Sequence, residues 1–189
     1  MTAPLERFER PASRWSWLKA RGLFWPTFSW NVLLGRLLRI RHWYDRVTPA
    51  VWLGALPCPR DVPRLAEMGI TAVVNTCEEY SGPRAAYRRY GIEQLRIPTV
   101  DFTHPRLSDV TAAVDFMQSR IAGGGKVYVH CKAGRGRSAT VVACWLMAAQ
   151  GLNRDQAQAL LLERRPHVNR HLADRPVVIE FERRLQRQV

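Results

Sequence analysis

The chain has 189 residues, 47% of them hydrophobic and 10% aromatic, which suits one compact domain with a core plus an appendage and excludes disorder throughout. Its formal charge of +13 favours polyanionic partners: nucleic acid, an anionic membrane or a phosphorylated substrate. Cys58, Cys77, Cys131 and Cys144 lack Cys-x-x-Cys spacing, and a chain this long needs no disulfide framework, so the expectation is a reduced, intracellular protein.

Residues 1–46 differ from the rest of the chain. They carry Trp15, Trp17, Trp25, Trp30 and Trp43 interleaved with Arg7, Arg10, Arg14, Lys19, Arg21, Arg36, Arg39 and Arg41. The uncharged run Gly22–Gly35 is shorter than the roughly 20 apolar residues that span a bilayer. No apolar run with a small-residue cleavage site marks a secretory signal. Trp-rich, Arg-flanked sequence of this kind lies in the headgroup zone of an anionic membrane. Two other readings stay open: a helix packing its aromatic face on the domain, and a cleaved organelle-targeting segment, against which Glu6 and Glu9 count. The division expected is an aromatic-basic helical segment over 1–43 and a catalytic domain over 44–189.

From Tyr44 the pattern alternates strand and helix. Ala50–Leu56 reads as a short apolar strand, Arg60–Met68 as a helix stopped by Gly69, and Thr71–Asn75 as a β-branched buried strand. Pro83–Tyr90 reads as a short helix, Glu93–Ile97 as a strand closed by Pro98, and Ser108 as the N-cap of a helix reaching Ile121. The strand Lys126–His130 comes after a triple glycine, and Ser138–Gln150, Arg154–Arg164 and Leu172–Arg187 read as helices. The expected fold is α/β, a central mainly parallel sheet flanked by helices.

The chemistry concentrates in His130–Ser138, H-C-K-A-G-R-G-R-S, which lies between a strand and a helix. A glycine-rich loop in that place gathers backbone N–H groups and the positive end of the helix dipole on one point, where an anion sits. The loop comprises Cys131, Lys132, Ala133, Gly134, Arg135, Gly136 and Arg137. A thiol facing a helix N-terminus and Arg loses its proton readily, so Cys131 suits a thiolate nucleophile. Arg137, six residues on, can place a planar fork on two phosphate oxygens. The Ser138 hydroxyl can hydrogen-bond the sulfur and ease its departure. His130 is expected to orient the loop rather than act as a base.

The leaving group needs a proton, and a carboxylic acid on a loop opposite the nucleophile would contribute roughly 10²–10⁴ in rate. Asp101, in P-T-V-D-F-T-H-P, is the leading candidate; Asp109 and Asp115 are alternatives that read as helix-start and solvated-face residues. His104 could assist or simply be a loop surface residue, and the second reading is favoured. Glu78, Glu79 and Tyr80 could repel an extra phosphate, position water, pair with Arg, or form a solvated turn. No cluster has metal-ligand spacing, so neither metal nor cofactor is expected.

These residues are similar to the dual-specificity branch of the protein-tyrosine-phosphatase superfamily, and within it to the mitochondrial-type phosphatidylglycerophosphate phosphatases. The resemblance rests on W-Y-D-R-V at 43–47, L-G-A-L-P at 53–57, E-E-Y at 78–80, G-I-E-Q-L-R at 91–96, T-V-D at 99–101 and V-H-C-K-A-G-R-G-R-S-A-T at 129–140. The stretch 167–174, H-V-N-R-H-L-A-D, departs from the family pattern. The resemblance implies a metal-free two-step mechanism through a phosphocysteine, with Cys131 as nucleophile, Asp101 as general acid and Arg137 as transition-state clamp. It also implies that Glu78, Glu79 and Tyr80 lie beside the pocket.

Lys132 and Arg135 add two cations to the loop, which suits a substrate with a second anionic group near the phosphomonoester. With the Trp/Arg segment, this favours a phospholipid substrate on an anionic membrane surface, the enzyme being peripheral on its cytoplasmic face. A phosphoprotein substrate and a soluble cytoplasmic or mitochondrial location are the alternatives. Nucleic acid is not expected as a partner, since no recognised nucleic-acid module is present.

Overall fold

The structure, a computed structural model, describes residues 42–187, so the aromatic-basic segment expected over 1–43 lies almost wholly outside the described residues. Among the described residues five strands form one sheet: β1 (Tyr44–Arg46), β2 (Val51–Gly54), β3 (Ile70–Cys77), β4 (Glu93–Thr99) and β5 (Lys126–His130). The helices are α1 (Val62–Glu67), α2 (Arg84–Arg89), α3 (Leu107–Ala122), α4 (Arg137–Gln150), α5 (Arg154–Arg164) and α6 (Pro176–Gln186). The strand order is β1-β2-β5-β3-β4, parallel throughout except for the antiparallel β1–β2 pair. This is the α/β architecture expected from the sequence.

The inner strands β2, β3 and β5 are largely apolar on both faces because helices cover both. Val51, Leu53, Ala72, Val74, Val127 and Val129 face a core completed by α3, α4, α5 and α6. Val73 and Tyr128 point the other way, onto Val62 and Leu65 of α1 and Tyr87 of α2. Helix α4 is buried along most of its length, from Arg137 to Met147, which is why its sequence is apolar all round rather than striped.

Four local features differ from expectation. The edge strand β1 has no sequence signature: three half-exposed residues, Y-D-R, carry too short a pattern to be seen. Pro98 does not close β4, which continues to Thr99; β4 is an edge strand, where a missing N–H is tolerated. Ser108 is not a cap, since α3 begins at Leu107 after Arg106, and α6 begins at Pro176 rather than at Leu172, which is buried ahead of it.

Candidate active site

Parallel strands β2, β3, β4 and β5 end along one edge of the sheet, and the candidate residues 78–80, 101 and 130–138 lie there, on loops leaving it or in the first turn of α4. Strand β5 ends at His130, the loop 131–136 comes next, and α4 starts at Arg137. Gly134 adopts φ +67, and a Cβ there would lie 2.5 Å from the Gly54 carbonyl oxygen, so only glycine lets the loop approach β2 this closely.

The sulfur of Cys131 receives hydrogen bonds from the Gly134 N–H (3.2 Å) and the Ser138 hydroxyl (3.3 Å). Burial alone would raise this thiol. The Arg137 charge, together with hydrogen bonds from Ser138 and the Arg135 backbone, more than reverses that and brings it down to about 7. Cys131 is therefore substantially thiolate near neutral pH. Cys144, by contrast, is pushed up by burial alone, as befits a core thiol. Cys77 packs in one cluster with Leu56 and Cys131, and burial pushes its thiol well up.

His130 is fully buried and stacks on Tyr128 with ring centroids 5.8 Å apart. Burial lowers its imidazole to about 3, so it is neutral at working pH and carries no base function that titrates near 7. Thr76 donates to the His130 carbonyl at 3.0 Å, fixing the strand end from which the loop departs.

Arg137 is 3% exposed and heavily bonded. Nη1 and Nη2 donate to the two carboxylate oxygens of Glu79 at 2.8 and 2.7 Å, and Nη1 also donates to the Thr99 carbonyl at 2.8 Å. Glu79 thus holds the outer edge of the guanidinium plane. The Asp101 carboxylate lies 3.1 Å from Nη2 and is also paired with the Lys132 ammonium. Burial would lower the Arg137 guanidinium, but the Glu79 contact and the Cys131 charge raise it further, so the cation is permanent.

Of the acidic loop, Glu79 reaches Arg137, whereas Glu78 contributes backbone: its N–H donates to Thr99 and its carbonyl accepts from Arg96 at 2.7 Å. The Tyr80 hydroxyl donates to the Pro57 carbonyl at 2.8 Å, and burial pushes the phenol up. Buried Asn75 organises this loop, accepting from the Cys77 N–H and donating to the Tyr80 carbonyl, both at 2.8 Å. Arg135 is exposed and turns outward to the His167 carbonyl at 2.7 Å, so Lys132 is the inner of the two extra loop cations. Asp109 lies in the first turn of α3 and Asp115 on its exposed face. His104 contacts the Pro105 carbonyl.

Two residues that sequence reasoning does not single out brace the loop from behind. Arg165, 1% exposed, donates to the carbonyls of Gly134 (2.9 Å) and Ala133 (3.1 Å) and pairs with Asp45 of β1 at 2.5 Å. Arg175 donates to Thr140 at 2.8 Å and lies against Gly136, where an added Cβ would meet it at 3.2 Å. The only sequence signal is an Arg beside each helix boundary, and in a chain this rich in Arg that carries little information.

The family model for the dual specificity phosphatase catalytic domain matches residues 51–184. The chain belongs to the dual specificity phosphatase family. As a member it is a cysteine-based phosphatase that hydrolyses phosphomonoesters. Among its relatives are two from Arabidopsis thaliana, each aligned over 86% of this chain. Phosphatidylglycerophosphate phosphatase PTPMT1 is 38% identical and PTPMT2 is 39% identical. This dual specificity phosphatase spans about half (49%) of the first and 73% of the second. The phosphatidylglycerophosphatase and protein-tyrosine phosphatase 1 of Mus musculus is 35% identical over 90% of this chain and 94% of its own length. A crystal structure of PTPMT1 in complex with PI(5)P superposes with a TM-score of 0.72 at 33% identity, over 78% of this chain and 99% of that one. Among the described residues, no helix of this dual specificity phosphatase is long and apolar enough to cross a membrane.

Proposed function

We propose that the protein removes the phosphomonoester of an anionic phospholipid, phosphatidylglycerophosphate being the leading candidate, through a phosphocysteine intermediate. The observation that carries the mechanism is the Cys131 sulfur, brought to about 7 between the Arg137 charge and the Gly134 and Ser138 donors. The Cys131 thiolate attacks phosphorus; the S–P bond forms as the P–O bond to the lipid breaks, and Asp101 delivers its proton to the departing alkoxide. Water then attacks phosphorus, Asp101 takes its proton, and the S–P bond breaks to restore the thiolate, with Ser138 donating to the departing sulfur. Arg137, held by Glu79, offers its inner edge to the phosphoryl oxygens, and the loop amides supply the rest of the cradle.

Incoming phosphate competes with Asp101 for Arg137 and Lys132, because the carboxylate occupies both cations in the ligand-free site. Lys132 is then released to meet a second anionic group of the substrate. The lipid reading is supported by the relatives named for phosphatidylglycerophosphate, and residues 1–43 are its membrane foothold, making the enzyme peripheral on a membrane. The name of the mouse relative also admits a phosphotyrosine substrate.

The test is phosphate release from phosphatidylglycerophosphate, phosphoinositides and a phosphotyrosine peptide side by side, with Cys131→Ser as blank. A higher kcat/KM for phosphatidylglycerophosphate is expected; preference for the peptide would overturn the lipid reading and leave the cysteine chemistry standing. Removal of residues 1–42 is expected to weaken sedimentation with anionic vesicles, most strongly at low salt.

A further inference from the structure

Phe102 sits where a phenylalanine has no structural reason to be. Among the described residues it is the one non-glycine with positive φ, +65°, and its side chain is 70% exposed. It holds the third position of a turn closed by the Thr103 N–H (3.2 Å) and hydroxyl (2.7 Å) on the Val100 carbonyl, a position that favours Gly or Asn. Its contact within the fold is the buried Lys132 ammonium, 5.4 Å from the ring centroid; this single cation–π contact is of the same order as the backbone strain and leaves most of the ring open to solvent. The other exposed large apolar residue among those described, Tyr90, has ordinary helix-end backbone and lies near Arg89 on α2.

The Phe102 backbone, not its ring, bonds the Asp101 carboxylate. The Phe102 N–H donates to Asp101 Oδ1 at 3.1 Å, and that carboxylate bridges Lys132 and Arg137. A strained aromatic therefore stands at the rim of the phosphate site. Exposed Arg106 ends the same loop, and exposed Arg135 lies on the phosphate loop. An apolar tip on a loop that also carries an exposed cation is the pattern of a residue that enters the boundary between headgroups and acyl chains.

We propose that Phe102 is a lipid-surface contact: its ring enters the glycerol and upper acyl region of the leaflet that carries the substrate, and so selects membrane-borne over water-soluble phosphomonoesters. This rests on the lipid-phosphatase reading above. The phosphate reaches Cys131 while the remainder of the substrate stays in the leaflet beside the ring, so the headgroup need not leave the bilayer completely.

The test uses the full chain and two variants. Phe102→Asn keeps the left-handed turn and removes the apolar tip; Phe102→Met keeps an apolar side chain. Each is assayed on phosphatidylglycerophosphate in phosphatidylcholine/phosphatidylglycerol vesicles and on water-soluble para-nitrophenyl phosphate. For Phe102→Asn, kcat/KM on vesicles is expected to fall about tenfold, chiefly through KM under surface dilution, and on the soluble ester to change less than about twofold. Phe102→Met is expected to retain most of the vesicle activity. Equal losses on both substrates would overturn the inference, showing that the ring only props the Asp101 loop, as would an unchanged vesicle KM. Wild-type enzyme that cleaves the soluble ester but not the vesicle lipid would overturn the lipid reading and this inference together.

Discussion

Residues 131–137 and residues 99–104 meet at Lys132 and Arg137, but they are held in place by different means. The first stretch is buried apart from Ala133, Arg135 and Gly136 and is braced from behind: Arg165 takes two of its carbonyls, Arg175 lies against Gly136, and the Gly134 N–H is committed to the sulfur. The second is a turn with an exposed, left-handed Phe102, a conformation that costs a non-glycine roughly 1–2 kcal/mol. Its carboxylate is anchored by ion pairs to the two cations that substrate would claim. In the proposed mechanism one wall is prepared for a phosphate before it arrives, and the other is kept in place by contacts that phosphate would displace. Catalytic preorganisation belongs to the buried wall, and adaptation to substrate to the exposed one.

The largest effect expected comes from the braced wall. Cys131→Ser should lower turnover by on the order of 10⁴-fold or more while still binding phosphate, because the loop amides and Arg137 remain. Phosphate release and tungstate binding by calorimetry check both halves, and turnover near wild type would mean the nucleophile lies elsewhere. Arg165→Met should cost about 2–4 kcal/mol of stability, since it takes from part-buried Asp45 its buried cationic partner, leaving only His42 among the described residues, and leaves two loop carbonyls without this donor. Urea unfolding measures this, and a loss under about 1 kcal/mol would show that the loop needs no brace.

From the ion-paired wall, Asp101→Asn should slow an alkyl phosphate by roughly 10²–10³ and an aryl phosphate, whose leaving group needs little protonation, far less. Equal losses would assign the proton to another group. The smallest effect is a shift in pH dependence. With the Cys131 thiol at about 7, kcat/KM should rise through that pH as thiolate forms. Ser138→Ala removes a hydrogen bond that favours the charged sulfur, so the rising limb should move to higher pH; movement downward, or none, would remove Ser138 from thiolate stabilisation.

The contrast between the walls also explains what can be read in advance. Cysteine, glycines, arginine and serine of the phosphate loop lie within nine residues, and strand-loop-helix order is visible in K-V-Y-V-H and the apolar run after Ser138. Nothing local distinguishes Glu79 from Glu78 or links Asp45 to Arg165. Glu79 meets Arg137 across 58 residues and Asp45 meets Arg165 across 120, pairings that come only with the assembled fold. Asp101 is separable from Asp109 and Asp115 by its loop context, while its double pairing with Lys132 and Arg137 comes only with the fold.

By itself the sequence determined the α/β class, most strands and helices, and the glycine-rich loop between β5 and α4, because periodicity and glycine placement act over a few residues. The tertiary structure alone decided which carboxylate grips Arg137, which arginines brace the loop, that an edge strand precedes β2, that Pro98 is tolerated within β4, and that Phe102 stands strained at the rim. Those outcomes depend on which distant segments the strand order brings together, and no local pattern carries that information.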